Sequence, residues 1–353
     1  MIVALFALGL TLLVAGGDLL VRGAARLASL ARVSPLVIGL TVVAFGTSAP
    51  ELAVTVAAVG RGEPHLALGN VVGSNITNLL LIMGMAAVVT PLAVSRRVVR
   101  LDVPILITAS VVVVLLALSG TIGRVQGALL LGAGIAYTVV MIKLARRTDE
   151  PSTTLSLGPT PRRRRIVTDV AITAAGLALL VAGSRWLVMA ATAMAEALGI
   201  SQLAIGLTIV AIGTSLPELA TTIVAGVRNQ ADMAVGNILG SNLFNLLLVL
   251  GAGAAVSPVG IGVPATAMAF DLPVMLAVTV ATLFILYTGH CLSRWEGALF
   301  LAYFAGYMTY VLLIATGHGP LPVFRHALLV FALPLSVISL IVAAVRIRRG
   351  ARP

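Results

Sequence analysis

Charge is what this sequence has least of: 10% of its 353 residues are Asp, Glu, Lys or Arg, against 59% hydrophobic. A soluble globule needs roughly a quarter of its residues charged to keep its surface in water. The composition excludes a soluble domain and makes the bilayer the solvent. Cysteine is nearly absent too. Cys291 stands alone, so no internal disulfide, thiolate metal cluster or dithiol redox pair can form. The four histidines fall at the ends of apolar runs or in short loops, away from where a buried imidazole site would be built. Neither a Ser–His arrangement nor an Asp-rich diphosphate motif lies near the middle of an apolar run, which argues against a membrane enzyme. No catalytic residue and no cofactor is expected.

What is there is a succession of apolar runs long enough to cross hydrocarbon as helices. They fall near residues 2–24, 34–60, 66–90, 101–119, 124–145, 166–195, 201–227, 233–256, 268–288, 293–315 and 324–346. The first run begins at once, without a basic stretch or an Ala-x-Ala site, and reads as a retained helix rather than a cleaved signal. With the N-terminus outside, 19 of the 23 Lys and Arg residues fall at cytoplasmic span ends, leaving only Arg61, Arg124, Arg185 and Arg325 outside. The positive-inside rule then places the linker from Arg146 to Arg165 and the C-terminus in the cytoplasm. Spread this way, a net charge of +11 marks topology and not a nucleic-acid surface. The arginine-rich composition and the lack of a large cytoplasmic regulatory domain suggest a prokaryotic plasma membrane, of inner-membrane type. The lipid bilayer is the expected partner, and the protein is expected to act as a monomer.

The chain also repeats itself. GLTVVAFGTSAPELAVTVAA from Gly39 returns as GLTIVAIGTSLPELATTIVA from Gly206, and GNVVGSNITNLLLIMG from Gly69 returns as GNILGSNLFNLLLVLG from Gly236, both at an offset of 167 residues. Five spans separate equivalent points, an odd number, so the second copy enters the membrane from the opposite side. The charges agree, since Arg22, Arg26 and Arg32 become Met189, Ala193 and Gly199. The expected fold is all-α and polytopic. A first five-helix repeat covers 1–145, with motifs at 39–60 and 69–84, and a cytoplasmic linker covers 146–165. A second, inverted repeat covers 166–315, with motifs at 206–227 and 236–251, and an extra C-terminal helix with a basic tail covers 316–353.

In Gly46-Thr47-Ser48-Ala49-Pro50-Glu51 and in Gly213-Thr214-Ser215-Leu216-Pro217-Glu218, Gly and Pro interrupt a helix and free carbonyls that hydrocarbon cannot satisfy. Inversion brings the two breaks face to face near the midplane. Of the twelve acidic residues, only Glu51 and Glu218 sit near the middle of an otherwise uncharged span, with no Lys or Arg at their depth. An ionised group there costs at least ~2.5 kcal/mol and calls for a counter-charge or a proton. Two carboxylates with carbonyls and Thr and Ser hydroxyls offer hard oxygens alone, a set for Ca2+, Na+ or Mg2+ and not for zinc or copper. The competing structural reading is a capping box, with Ser48 as N-cap and Glu51 reaching back.

In the second motif, after a break at Gly69-Asn70, Ser74 and Asn78 share one helical face, as do Ser241 and Asn245. They read as the remaining ligands, although small polar residues also serve helix packing. Asp102 and Asp271 match at the starts of the fourth and ninth spans, each two residues before a proline, and read as caps. Glycines in the first, fifth and tenth spans suit close helix packing.

Paired GTSxPE breaks, each followed by a GNxxGSN segment, resemble the two alpha-repeats of sodium/calcium exchangers within the calcium/cation antiporter superfamily. The resemblance implies ten core helices in two inverted units, with ions held centrally by the second, third, seventh and eighth. By matched position it implies Ca2+ ligands at Glu51 and Glu218, with carbonyl or hydroxyl oxygens from Ala44, Thr47, Ala211 and Thr214. It implies sodium sites completed by Ser48, Ser74, Ser215 and Ser241, with Asn78 and Asn245 at the centre. Some relatives carry Asp where Asn245 stands, an acid typical of the potassium-dependent branch, and its absence argues against potassium. The proton-coupled branch tends to carry an acid inside the Gly-Asn segment, where Gly73 and Gly240 stand, which favours sodium. The expected function is exchange of Na+ for Ca2+ by alternating access, with Ca2+/H+ antiport as the alternative. A cation channel fits poorly, because the polar residues cluster at one depth between apolar segments.

Overall fold

The computed structural model describes residues 2–31, 33–145, 162–199, 205, 208–209, 211–287, 289–315 and 341. The linker from 146 to 161, most of the start of the seventh span and, apart from Ile341, the expected eleventh span lie outside the described residues. The rest is helix almost throughout. The first copy comprises α1 (Ile2–Ala31), α2 (Pro35–Thr47), α3 (Ala49–Gly60), α4 (Pro64–Val89), α5 (Val98–Ala117) and α6 (Arg124–Ala145). The second comprises α7 (Arg162–Ala197), α8 (Leu216–Val227), α9 (Ala231–Val256), α10 (Ala267–Tyr287) and α11 (Arg294–Ala315). Among the described residues, eight helices are each long and apolar enough to cross a membrane, and α2 with α3, bent by 43°, make a ninth. The shorter α8 follows a single helical turn, Ala211–Gly213, and the break at Ser215.

Four two-residue strands, which the apolar runs gave no reason to expect, report the orientation of the copies. They are β1 (Leu92–Ala93), β2 (Thr121–Ile122), β3 (Ile261–Gly262) and β4 (Cys291–Leu292). Strand β1 follows the first copy's third span and pairs antiparallel with β4, which follows the second copy's fourth span; β2 and β3 pair in the reciprocal way. In copies of like orientation, the loops after the third and fourth spans would lie at opposite ends. Their pairing requires the copies to be inverted.

The glycines bring helices together backbone to backbone, as expected. Gly9, Gly16 and Gly23 of α1 face Gly183, Gly176 and Thr173 of α7, and a Cβ on Gly16 would lie 2.8 Å from the Gly176 carbonyl oxygen. Gly127 of α6 abuts Gly251 of α9, and Gly297 of α11 abuts Gly84 of α4. Each copy's fifth span thus packs on the other copy's third, and α4 and α9 end up the most enclosed helices. At one end, Asp18 of α1 pairs with Arg22, 2.9 Å away, and with Arg228 after α8, while Arg26 reaches Asp169 of α7 at 3.6 Å.

Two local readings are corrected. Asp102 and Asp271 do not cap helix starts: each sits inside its helix, in a π-helical turn (Val98–Asp102 and Ala267–Asp271), and Asp102 is fully buried. Pro104 and Pro273 lack an N–H, and the widened turn before each lets the helix run through instead of beginning there. Asp271 accepts a hydrogen bond from the Tyr307 hydroxyl, 3.1 Å, while Asp102 lies 3.9 Å from Arg97 Nε. Nor is Gly69-Asn70 a break, because α4 is continuous through it.

Candidate ion site

The two helix breaks meet between α4 and α9. At the first, Ser48 has φ −81° and ψ 3°, and at the second Ser215 has φ −91° and ψ 7°. Pro50 and Pro217 follow, and each removes the donor that would have closed the helix onto Gly46 or Gly213. The freed Gly213 carbonyl accepts from Ser184 Oγ of α7 at 2.6 Å.

Neither break forms the capping box. An N-cap serine needs an extended backbone to turn its hydroxyl onto its own helix, and Ser48 and Ser215 are not extended and make no such bond. Their hydroxyls cross between copies. Ser48 Oγ donates to Glu218 Oε1 and Ser215 Oγ donates to Glu51 Oε1, both at 3.3 Å. Ser241 adds a longer contact to Glu218 Oε1 at 3.5 Å, and Ser74 lies within reach of Glu51.

Glu51 and Glu218 are both fully buried, and among the described residues no Lys, Arg or His forms an ion pair with either. Each keeps its second oxygen, Oε2, without a hydrogen-bond donor among the described residues. Asn78 and Asn245, fully buried at the starts of matching π-helical turns (Asn78–Ile82 and Asn245–Val249), add to this set. Asn78 Nδ2 donates to Asn242 Oδ1 at 3.1 Å, and among the described residues Asn78 Oδ1 is bare and Asn245 has no partner on either amide atom. A buried polar atom normally finds a partner, so four bare acceptors around two uncompensated carboxylates make a centre suited to a hard cation. Among the described residues no group of three or more His, Cys, Asp or Glu could hold a metal ion.

Ten of the twelve expected residues are buried: Glu51, Glu218, Ala44, Thr47, Ser48, Ser215, Ser74, Ser241, Asn78 and Asn245. The other two differ, Thr214 being half-buried and Ala211 exposed. The sequence alone assigns no bracing role to Asn70, counted there as part of a break, or to Asn237, the two that tie the breaks to α4 and α9, nor any role to Asn242, the partner of Asn78. All three were within reach of the repeat, because Asn70 and Asn237, like Asn75 and Asn242, are identical residues at the common offset.

Broken helices meeting at a buried, oxygen-lined centre between two inverted halves define a secondary transporter of the inverted-repeat kind. The family profile described as sodium/calcium exchanger protein matches residues 1–143 and 168–313. CaxA of Alkalimonas amylolytica, named as an antiporter, is 39% identical over 308 residues, which are 85% of this chain and 95% of that one. The sodium/calcium exchanger MaX1 of Methanosarcina acetivorans is 30% identical over 336 residues, 85% of this chain and 95% of that one. The solved structure of the sodium-calcium exchanger NCX_Mj, soaked with 10 mM Na+ and zero Ca2+, superimposes with a TM-score of 0.74 at 29% identity, over 89% of this chain and 99% of that one. The chain belongs to the sodium/calcium exchanger family and is an integral membrane antiporter of that superfamily.

Proposed function

We propose that the protein exchanges Na+ for Ca2+ by alternating access, with Glu51 and Glu218 at the centre. Four bare acceptors, Oε2 of Glu51 and of Glu218 and Oδ1 of Asn78 and of Asn245, carry the reading. Ca2+ takes six to eight oxygens, often with carboxylates among them, and the backbone and hydroxyl oxygens of Ala44, Thr47, Ala211 and Thr214 complete such a shell. Ser48, Ser74, Ser215 and Ser241 extend it into smaller sites for Na+. Two unneutralised carboxylates closed away from water are costly, so the site crosses only when filled by one Ca2+ or by several Na+. That cost makes the exchange obligatory. The MaX1 name and the NCX_Mj structure, both of sodium/calcium exchangers, support the sodium coupling.

The chain organises into the two repeats, 1–145 and 166–315, about a cytoplasmic linker, with the N-terminus outside and the protein in the plasma membrane. In that orientation the tight contact of α2 with α9 lies on the cytoplasmic side, and the exposed Ala211 and half-buried Thr214 lie on the external side. The site is then presented to the outside.

The test is radiolabelled calcium uptake into proteoliposomes, driven by an outward Na+ gradient and, separately, by an outward proton gradient. Sodium-driven uptake is expected. Uptake driven by protons alone would replace this reading with Ca2+/H+ antiport, and uptake that persists in both Glu51→Gln and Glu218→Gln would remove the site.

A further inference from the structure

Asn70 and Asn237 stand at matching places on α4 and α9, and each braces the broken helix of its own copy. Asn70 Nδ2 donates to the Glu51 carbonyl oxygen at 3.1 Å and to Thr55 Oγ1 at 3.0 Å. Asn237 Nδ2 repeats this with the Glu218 carbonyl at 3.5 Å and Thr222 Oγ1 at 3.1 Å. The amide oxygens behave differently. Asn237 Oδ1 accepts from Thr47 Oγ1 of the opposite copy at 3.2 Å, and Thr47 also lies 3.4 Å from Ser241 Oγ. Both threonines also reach back into their own turns, Thr47 Oγ1 to the Ala44 carbonyl and Thr214 Oγ1 to the Ala211 carbonyl, each at 3.4 Å, but Thr214 makes no bond to Asn70.

The same asymmetry runs through the backbones around these pairs. Where Thr47 meets Asn237 the chains are shut: a Cβ on Gly236 would lie 2.6 Å from the Leu36 carbonyl oxygen, and one on Gly240 2.8 Å from that of Leu40. Where Thr214 faces α4, Gly69 is exposed and Gly73 half-buried, and among the described residues nothing lies within 4 Å of a Cβ on either. One Thr–Asn pair is made on the closed side, and its chemically identical twin is unmade on the open side.

We propose that Asn70 and Asn237 are positioning residues for transport, and that the Thr47–Asn237 and Thr214–Asn70 hydrogen bonds are alternatives, one for each closed side. Because Asn237 holds both the Glu218 carbonyl and the Thr47 hydroxyl, closure of α2 onto α9 draws a hydroxyl from one copy and a carbonyl from the other into register. Closure of the opposite side does the same through Asn70, Thr214 and the Glu51 carbonyl. The proposal rests on the antiport reading only in needing two states, and it is indifferent to which ion drives the exchange.

Hydrogen–deuterium exchange with mass spectrometry tests it on the full chain in detergent with Na+ and no Ca2+. Losing one buried hydrogen bond shifts a two-state population about fivefold. Asn237→Ala should raise exchange in residues 35–47 and 231–241 and lower it in 64–74. Asn70→Ala should do the reverse. Thr47→Val and Thr214→Val should follow the same signs, so Thr47→Val decides the matter if Asn237→Ala does not fold. Shifts of the same sign in the two Asn variants, each loosening its surroundings, would reduce both residues to structural braces and overturn the proposal. Calcium flux in the unmodified protein separates the two readings: opposite-signed shifts without flux would overturn the exchanger alone, and flux with same-signed shifts would overturn the pairing alone.

Discussion

The two copies present the same side-chain types to the centre and surround them differently. Glu51 and Glu218 are equally buried, and their serine partners cross at the same distance. Yet Ala44 and Thr47 are buried while Ala211 is exposed and Thr214 half-buried. Gly236 and Gly240 are pressed against α2, whereas Gly69 is exposed and Gly73 half-buried, with nothing among the described residues within 4 Å of a Cβ on either. A symmetric sequence has folded into an asymmetric structure. Two inverted copies with equal chemistry have two equivalent ways to close, on one side or on the other, and one conformation can adopt only one of them. On the proposed reading, the parts that match between copies serve the ion, and the parts that differ mark the state.

The sharpest test of that division is at the carboxylates. If the ion sits between the copies, Glu51→Gln and Glu218→Gln should be equally damaging although their surroundings differ. Removing one half of a buried charged pairing costs about 3–5 kcal/mol, so calcium uptake should fall on the order of 100-fold or more in each. A large inequality between them would place the ion within one copy.

The glycines should split the other way. Gly236→Ala and Gly240→Ala drive a methyl into the α2 backbone, and overpacking of this kind costs about 1–3 kcal/mol. The melting temperature of the purified protein should drop. Gly69→Ala and Gly73→Ala meet nothing among the described residues and gain about 1 kcal/mol of helix propensity, so melting should hold or rise. Transport should fall all the same, because the state closed on that side needs the same close approach. Unimpaired flux in a stabilised Gly69→Ala protein would show that α4 never closes as α9 does.

The inverted halves, the two breaks and the acidic pair were legible in the sequence because each is written twice at one offset. A repeat identifies which residues share a role without saying where they point. Serine before alanine and proline reads as a cap from local chemistry alone, and only the facing copy shows that its hydroxyl is committed elsewhere. Asp102 looked like a helix start because proline usually marks one, and a π-helical turn, which no residue propensity announces, absorbed it. The paired strands at the span ends are two residues long, too short to leave a period of two. The asymmetry between the copies was out of reach in principle, since identical motifs cannot say which of two equivalent closures a given conformation has chosen.

The smallest expected effect lies at the crossed serines. Each donates at 3.3 Å to the carboxylate of the other copy, long for a hydroxyl hydrogen bond, whose usual distance is about 2.7–2.8 Å. Such a bond holds an oxygen in place without competing strongly for it, and its loss is worth about 1 kcal/mol, or roughly fivefold. Ser48→Ala and Ser215→Ala should therefore weaken the sodium dependence of uptake by that factor and leave the maximal calcium rate nearly unchanged. The two should act alike, because both hydroxyls lie on the ion side of the division. Calcium uptake titrated against sodium gives both numbers. If Ser215→Ala, beside the open side, were the more damaging by an order of magnitude, the serines would belong with the state-dependent contacts, and the boundary between ion and state would move inward to the carboxylates alone.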